Sequence, residues 1–396
     1  MVRLAAGTLI AAMSCATASA EKKYGPGVTD TEIKIGQTMA YSGPASMFGG
    51  VGRAEAAYFA KVNAEGGVNG RKINFISLDD AYTPPKTVEQ VRRLVEQENV
   101  LLIFGSLGTA SNLATRKYLN QKKVPQLFIA GASSSFGDPA NYPWTMGWQP
   151  TASREGAIYG KYIARERPNA KIGVLYQNDD FGKDFLKGVR EGLGDKAKLI
   201  VAEASYEITD PSIDSQILTL RGAGVDTFVD TSLSKFTAQA IRKVADIGWK
   251  PLHFIANSSS SVEAVLKSAG LEHAVGIITA AYLKDPNDAQ WKDDPAMKAW
   301  FAWMKQYYPE GNTADWYNVF AYSMAESLVI VLKACGDDLS RENIMKQATN
   351  LRNVPLPLLL PGITLNTGPE DYFPIKQMRL QRFDGAKWVL FGDAIQ

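Results

Sequence analysis

Six places along this 396-residue chain set hydroxyl, amide or aromatic side chains directly after a short strand-like run. They are Tyr41-Ser42 with Phe48 beyond, Ser106-Leu107-Gly108-Thr109, Gly131-Ala132-Ser133, Phe181-Gly182, Thr231-Ser232-Leu233-Ser234 and Asn257-Ser258-Ser259. Singly, each serine or threonine reads as a helix N-cap. A hydroxyl beside the bare amides of a helix start can also hold a carboxylate or phosphate. Six such ends together argue for a cleft that hydrogen-bonds a small solute. Groups for bond-breaking chemistry are missing. The only histidines are His253 and His273, and no Cys/His cluster has metal-ligand spacing. There is no phosphate-loop motif, and Gly131–Gly137 (GASSSFG) has the wrong spacing for a nucleophile elbow. Gly50-Val51-Gly52 lacks the third glycine of a dinucleotide fingerprint. The acid pairs Asp79-Asp80 and Asp179-Asp180 each follow a strand and precede a helix, which reads as turn and capping chemistry. No enzymatic activity, metal or cofactor is expected.

The elements that must position these residues alternate. Ile33 and Ile35 alternate with polar residues in a strand closed by Ser42-Gly43-Pro44; a helix over Ala56–Val62 follows, closed by Gly66-Gly67. Next come strand Lys72–Leu78, helix Pro84–Gln97, strand Val100–Phe104, helix Ala110–Leu119, strand Gln126–Ile129 and a helix around Glu155–Glu166. A second series runs Ile172–Tyr176, Lys183–Glu191, Leu199–Ala202, Ile213–Arg221, Thr227–Val229 and Thr237–Ile247. This α/β order predicts parallel sheets, and the number of units predicts two Rossmann-like lobes. Met297–Tyr307 and Trp316–Leu332 read as helices, the second apolar over several turns. The proline-rich run from Leu356 suits a passage between lobes, and Pro374–Phe383 with Trp388–Phe391 reads as a hairpin about Asp384-Gly385.

Residues 1–20 carry one basic residue (Arg3), an apolar run and Ala18-Ser19-Ala20 before Glu21, the pattern of a secretory signal peptide cleaved after Ala20. That run is too short for a good membrane span. Cys15 has a poor lipid-attachment lead-in in Ala12-Met13-Ser14, and Cys335, left alone after cleavage, reads as a buried thiol. The net charge of +2 points to neither nucleic acid nor an anionic membrane as partner.

The opening strand with Ser42-Gly43-Pro44, the helix end NAEGGVNGRKI, Asp79-Asp80 before a proline-led helix, the G-S-L-G-T turn, the VPQLF strand and VLYQNDDFGKD at Val174–Asp184 together resemble one family. It is the periplasmic solute-binding proteins of ABC transporters, in the branched-chain (leucine/isoleucine/valine) amino acid branch. The likeness spans essentially the whole mature chain. It implies a type I periplasmic binding fold: two lobes joined by a three-segment hinge near Gln149–Thr151, Ala280–Tyr282 and Gly362–Leu365. Lobe 1 would be 21–149 plus 282–361, and lobe 2 150–281 plus 362–396. It also implies a monomer in the periplasm that presents its ligand to a membrane permease. By the same resemblance, Thr109 would bind the ligand carboxylate, Gly131 and Ser133 would face an amino group, and Phe48 and Phe181 would be the aromatic contacts. The candidate ligand-binding set is Tyr41, Ser42, Phe48, Ser106, Thr109, Gly131, Ser133, Phe181, Ser232, Asn257, Ser258 and Tyr282.

Two departures from the family pattern bear on the ligand. The second-lobe glutamate that pairs with a ligand ammonium should follow His253–Ile255, but Asn257-Ser258-Ser259-Ser260 stand there. A tyrosine expected near Leu233–Ser234 is also missing. A buried ammonium without a carboxylate partner costs on the order of several kcal/mol. The expected ligand is therefore a hydrophobic or aromatic carboxylate lacking an α-amino group, of the kind bound by the family's hydroxybenzoate and phenylpropanoid binders. The alternatives are a hydrophobic amino acid, or a sensory receptor domain of the same fold.

Overall fold

The computed structural model describes residues 22–395. The expected signal peptide, its cleavage point and Cys15 lie outside the described residues.

Two sheets carry the molecule. The first has five parallel strands in the order Lys72–Asp79, Glu32–Met39, Leu102–Phe104, Gln126–Ile129 and Thr145–Gly147. Ile33 and Ile35, the alternating apolar residues of the opening strand, are fully buried. Glu32–Met39 runs in step with Lys72–Asp79 over eight residue pairs. The second sheet has seven strands in the order Trp388–Leu390, Arg379–Phe383, Ile278–Ala281, Leu252–Ile255, Thr227–Thr231, Ile172–Gln177 and Ile200–Tyr206. Its first two strands are antiparallel, forming the expected hairpin; the rest are parallel.

Each sheet reverses its direction of growth once. In the first, the chain adds Lys72–Asp79 on one side of Glu32–Met39 and then Leu102–Phe104 on the other. In the second, Ile200–Tyr206 and Thr227–Thr231 flank Ile172–Gln177 in the same way. The crevice outside the strand ends at such a reversal is where open α/β sheets bind ligands.

The helices start earlier than local pattern suggests. The third helix of the first half runs Thr109–Gln121, the one after the first passage Ala152–Glu166, and the one after Thr227–Thr231 runs Ser234–Asp246. The strand expected to end at Ala202 continues to Tyr206. The strands Thr145–Gly147 and Ile278–Ala281 and the helix Arg341–Ala348 were not expected. The first two are three and four residues long and wholly buried, so neither shows the alternation that marks a strand.

The chain passes between the sheets three times. After Thr145–Gly147 it enters the second through Ala152–Glu166. After Ile278–Ala281 it returns, and Leu360 N–H to the Tyr282 carbonyl (2.9 Å) and Lys284 N–H to the Leu358 carbonyl (2.9 Å) tie this passage to the later segment. The Tyr372 hydroxyl donates to the Pro143 carbonyl at 3.3 Å, and the Phe373 ring lies against Gly137 and Gly147. Residues up to 373 thus stay beside the first sheet, so the third passage falls after Phe373 rather than at Gly362–Leu365.

Helices Ala152–Glu166 and Asp180–Leu193 meet backbone to backbone. A Cβ at Gly188 would lie 1.9 Å from the Ser153 carbonyl oxygen, one at Gly192 2.2 Å from that of Ala157, and one at Gly156 2.4 Å from that of Phe185. Only glycine permits this approach. Helix Trp316–Ala334, buried along most of its length, packs against Gly49–Ala64 on the first-sheet side. Cys335 at its end is buried, and burial pushes its thiol up to about 12, as befits an inert core sulfur.

Candidate solute-binding site

Between the two sheets, at both reversal points, lies a cavity of about 60 Å³. The first-sheet side supplies Phe48, Val51, Tyr82, Leu107, Gly108, Thr109, Ala130, Gly131 and Ala132. The second supplies Phe181, Leu233, Asn257 and Ser258; the passages supply Gln149 and Tyr282; and the helix Trp316–Ala334 supplies Trp316, Tyr317 and Phe320. None of these eighteen residues carries a charge.

Helix Thr109–Gln121 begins at Gly108, which has φ +94° and gives the helix no side-chain cap. Its first amides therefore have no intrahelical acceptor. Among the described residues the Thr109 hydroxyl has no hydrogen-bond partner. Bare amides, a free hydroxyl and the helix dipole all favour negative charge at this point.

A strained turn sets the wall beside it. Ala81 and Tyr82 both have positive φ (50° and 58°), a conformation that residues other than glycine adopt at a cost. The acid pair holds it: Asp79 accepts the Ala81 N–H at 3.1 Å and Asp80 the Tyr82 N–H at 2.9 Å. Burial alone would raise Asp79, but bonds from Lys86, Ser42 and the Ala81 backbone outweigh it and hold the carboxyl well below its usual range. The Tyr82 ring then packs on Gly108, where a Cβ would sit 2.5 Å from it.

The opposite wall joins the lobes. The Tyr317 hydroxyl donates to the Ser258 carbonyl at 2.8 Å and lies 2.7 Å from Ser234 Oγ, while its ring packs on Phe48 with centroids 4.9 Å apart. Two further hydroxyls of the lining, Tyr282 Oη and Ser258 Oγ, are buried without a partner among the described residues. An unpaired buried hydroxyl is costly, so such groups call for an explanation. Behind Asn257 lies Glu155, whose Oε1 accepts the Asn257 N–H and the Tyr159 hydroxyl, both at 2.6 Å. Burial pushes this carboxyl up to about 7, the two hydrogen bonds acting the other way.

Of the twelve candidates from sequence, Phe48, Thr109, Gly131, Phe181, Asn257, Ser258 and Tyr282 line the cavity. The other five do not, because each is engaged elsewhere. The Tyr41 hydroxyl pairs with Ser77 Oγ at 2.7 Å, and exposed Ser42 donates to Asp79 at 2.6 Å. Ser106 Oγ accepts the Thr38 N–H at 3.0 Å, and Ser133 Oγ accepts the Ser135 N–H at 3.2 Å. Ser232 Oγ donates to Asp230 and lies 2.9 Å from Thr237 Oγ1. The candidate set from sequence missed eleven lining residues: Val51, Tyr82, Leu107, Gly108, Ala130, Ala132, Gln149, Leu233, Trp316, Tyr317 and Phe320. A signal existed for the last three, which are aromatic residues in the first two turns of a largely apolar helix.

A family model described as periplasmic binding protein matches residues 32–387. Leu/Ile/Val-binding protein homolog 7 of Brucella abortus is 25% identical over 268 residues, 65% of this chain and 66% of its own. The match thus spans about two thirds of that relative's length. Among solved structures, a branched-chain amino acid ABC transporter protein from Thermus thermophilus with bound valine superposes with a TM-score of 0.82 at 17% identity, covering 93% of this chain and 97% of that one. A solute-binding protein of an ABC transporter from Rhodopseudomonas palustris BisB5, in complex with 3,4-dihydroxybenzoic acid, gives 0.76 at 20% identity, covering 93% and 98%. The last two establish likeness of fold. With the family model matching nine tenths of its length, this chain belongs to the periplasmic binding protein family.

Proposed function

We propose that this protein is the periplasmic solute-binding component of an ABC importer and performs no catalysis. It captures a small hydrophobic or aromatic carboxylate, of hydroxybenzoate or phenylpropanoid type, by closing two lobes around it. The first lobe comprises residues 22–149 and 282–373, and the second 150–281 and 374–395. The observation that carries this reading is the uncharged cavity with a bare helix start at Thr109. A carboxylate finds amides and a hydroxyl there, whereas an ammonium finds no lining carboxylate. The dihydroxybenzoate complex of the Rhodopseudomonas protein supports the same ligand class on the same fold.

A hydrophobic amino acid is the second reading. It is favoured by the name of the Brucella relative and by the valine held by the Thermus protein. A thermal-shift screen of ligand-stripped protein separates the two, because a ligand that binds only the folded state raises the melting temperature. Shifts with aromatic acids and none with leucine, valine or phenylalanine support the carboxylate reading. The converse pattern replaces it with the amino acid one.

A further inference from the structure

The turn after Ile255 lacks the expected glutamate, yet a carboxyl reaches it from another element. Glu155 lies in the first turn of Ala152–Glu166 and is 6% exposed. Its Oε1 accepts from the backbone of Asn257, a lining residue, and from the Tyr159 hydroxyl. Tyr159 has one phenolic proton and a competing acceptor, the Ile255 carbonyl at 2.8 Å, while its oxygen accepts the Ala280 N–H at 3.0 Å. An ionised Glu155 draws that proton to itself; a neutral one leaves it to Ile255. The cluster thus joins the helix after the first passage, the strand before the second and the floor of the cavity.

We infer that Glu155 is a positioning residue for ligand binding: it fixes the Asn257–Ser258 wall, and its ionisation opposes an anionic ligand while favouring a cationic group. This rests on reading the cavity as the solute site. A negative charge behind an uncharged, buried wall is poorly screened and acts across it. The other titratable groups facing Glu155 are Tyr159 on its own helix and Tyr282 from the second passage. The neighbouring helix directs Asp184 instead to Ser134 and Ser153, and His253 of the adjacent strand faces Asp230. Residues 256–259 and 278–281 bring no charge. Burial places the titration near neutrality.

The test is calorimetric titration of wild type and Glu155→Gln with benzoate, 4-hydroxybenzoate and valine at pH 6.0 and 8.0. The acids should bind wild type about three- to tenfold more tightly at pH 6.0, with proton uptake on binding, and valine should show the opposite trend. Glu155→Gln, which keeps the acceptor, should bind the acids equally well at both pH values. A wild type indifferent to pH, or a variant with the wild-type slope, overturns the inference. Binding of none of the three probes would count against the proposed ligand classes without touching Glu155, which the unbound protein then decides. There the Asn257 amide resonance should move with a midpoint near neutral pH in wild type and stay still in Glu155→Gln; a stationary signal in wild type overturns the positioning role. The stability sign follows as well. A carboxyl raised from 4.5 to about 7 on folding makes wild type lose stability relative to Glu155→Gln as pH rises between those values, with no further loss above.

Discussion

The turns Ser106–Thr109 and Thr231–Ser234 occupy the same place in the two halves of the molecule, and they use their hydroxyls differently. Both bring a leucine to the cavity, Leu107 in one and Leu233 in the other. Both turn a serine inward, Ser106 to the Thr38 backbone and Ser232 to Asp230. They part at the helix start. Thr109 keeps its hydroxyl for the cavity, whereas Ser234 gives its own to Tyr317, a residue beside the first sheet. On the proposed reading, the Thr109 turn offers its hydroxyl to a solute, and the Ser232–Ser234 turn puts its hydroxyls into internal order and closing. Affinity for a given head group should reside in the first half, and the closed state should depend on contacts made by the second.

Substitutions can break this division of labour, and the largest effect is expected where backbone meets backbone. Gly188→Ala would drive a methyl into the Ser153 carbonyl, separate the helix pair and cost about 3 kcal/mol or more, read as a fall in denaturation midpoint. Thr109→Ala should weaken a carboxylate ligand by about 1.5–3 kcal/mol and Thr109→Ser by far less, with melting temperature little changed in both. Equal loss for Ser and Ala would remove the hydroxyl from the anchoring role. Ser232→Ala should show the reverse signature. Taking a donor from buried Asp230 should lower stability by about 1–2 kcal/mol, and calorimetry should find ligand affinity near wild type. The smallest effect is expected from Tyr317→Phe, which keeps the ring and loses the bonds to Ser258 and Ser234. About 0.5–1.5 kcal/mol should be lost, by the same factor for every ligand. A ligand-selective loss would make Tyr317 a solute contact rather than a closing one.

Much of the fold was legible because strand and helix periods differ and the punctuation was clear. Ile33 and Ile35 marked a strand, Gly66-Gly67 a helix end, and Asp384-Gly385 a hairpin. Strands such as Thr145–Gly147 were not legible, since burial on both faces removes the alternation. In the site, Thr109 was legible as a hydroxyl at a strand end, but so were Ser106, Ser133 and Ser232. What separates them is whether a backbone amide or a carboxylate lies within 3 Å or so of the oxygen. Those partners, Thr38, Ser135 and Asp230, come from a neighbouring strand or from two residues away, and spacing does not encode their direction. Tyr82 was hidden for another reason: its place depends on two successive left-handed residues, which local preference argues against. Glu155 was not legible because it reaches the turn after Ile255 from a distant element, the helix Ala152–Glu166.

The glycine seam between Ala152–Glu166 and Asp180–Leu193 constrains how such a protein can diversify. With main chains in contact, there is no side chain to exchange, so the seam holds Glu155 and Phe181 as a fixed pair. Change of solute must then come from places where side chains meet, at residues 231–234, 256–259 and the start of the Trp316 helix. On the proposed reading, a lineage acquiring a new solute can recut those three surfaces while the seam stays as it is.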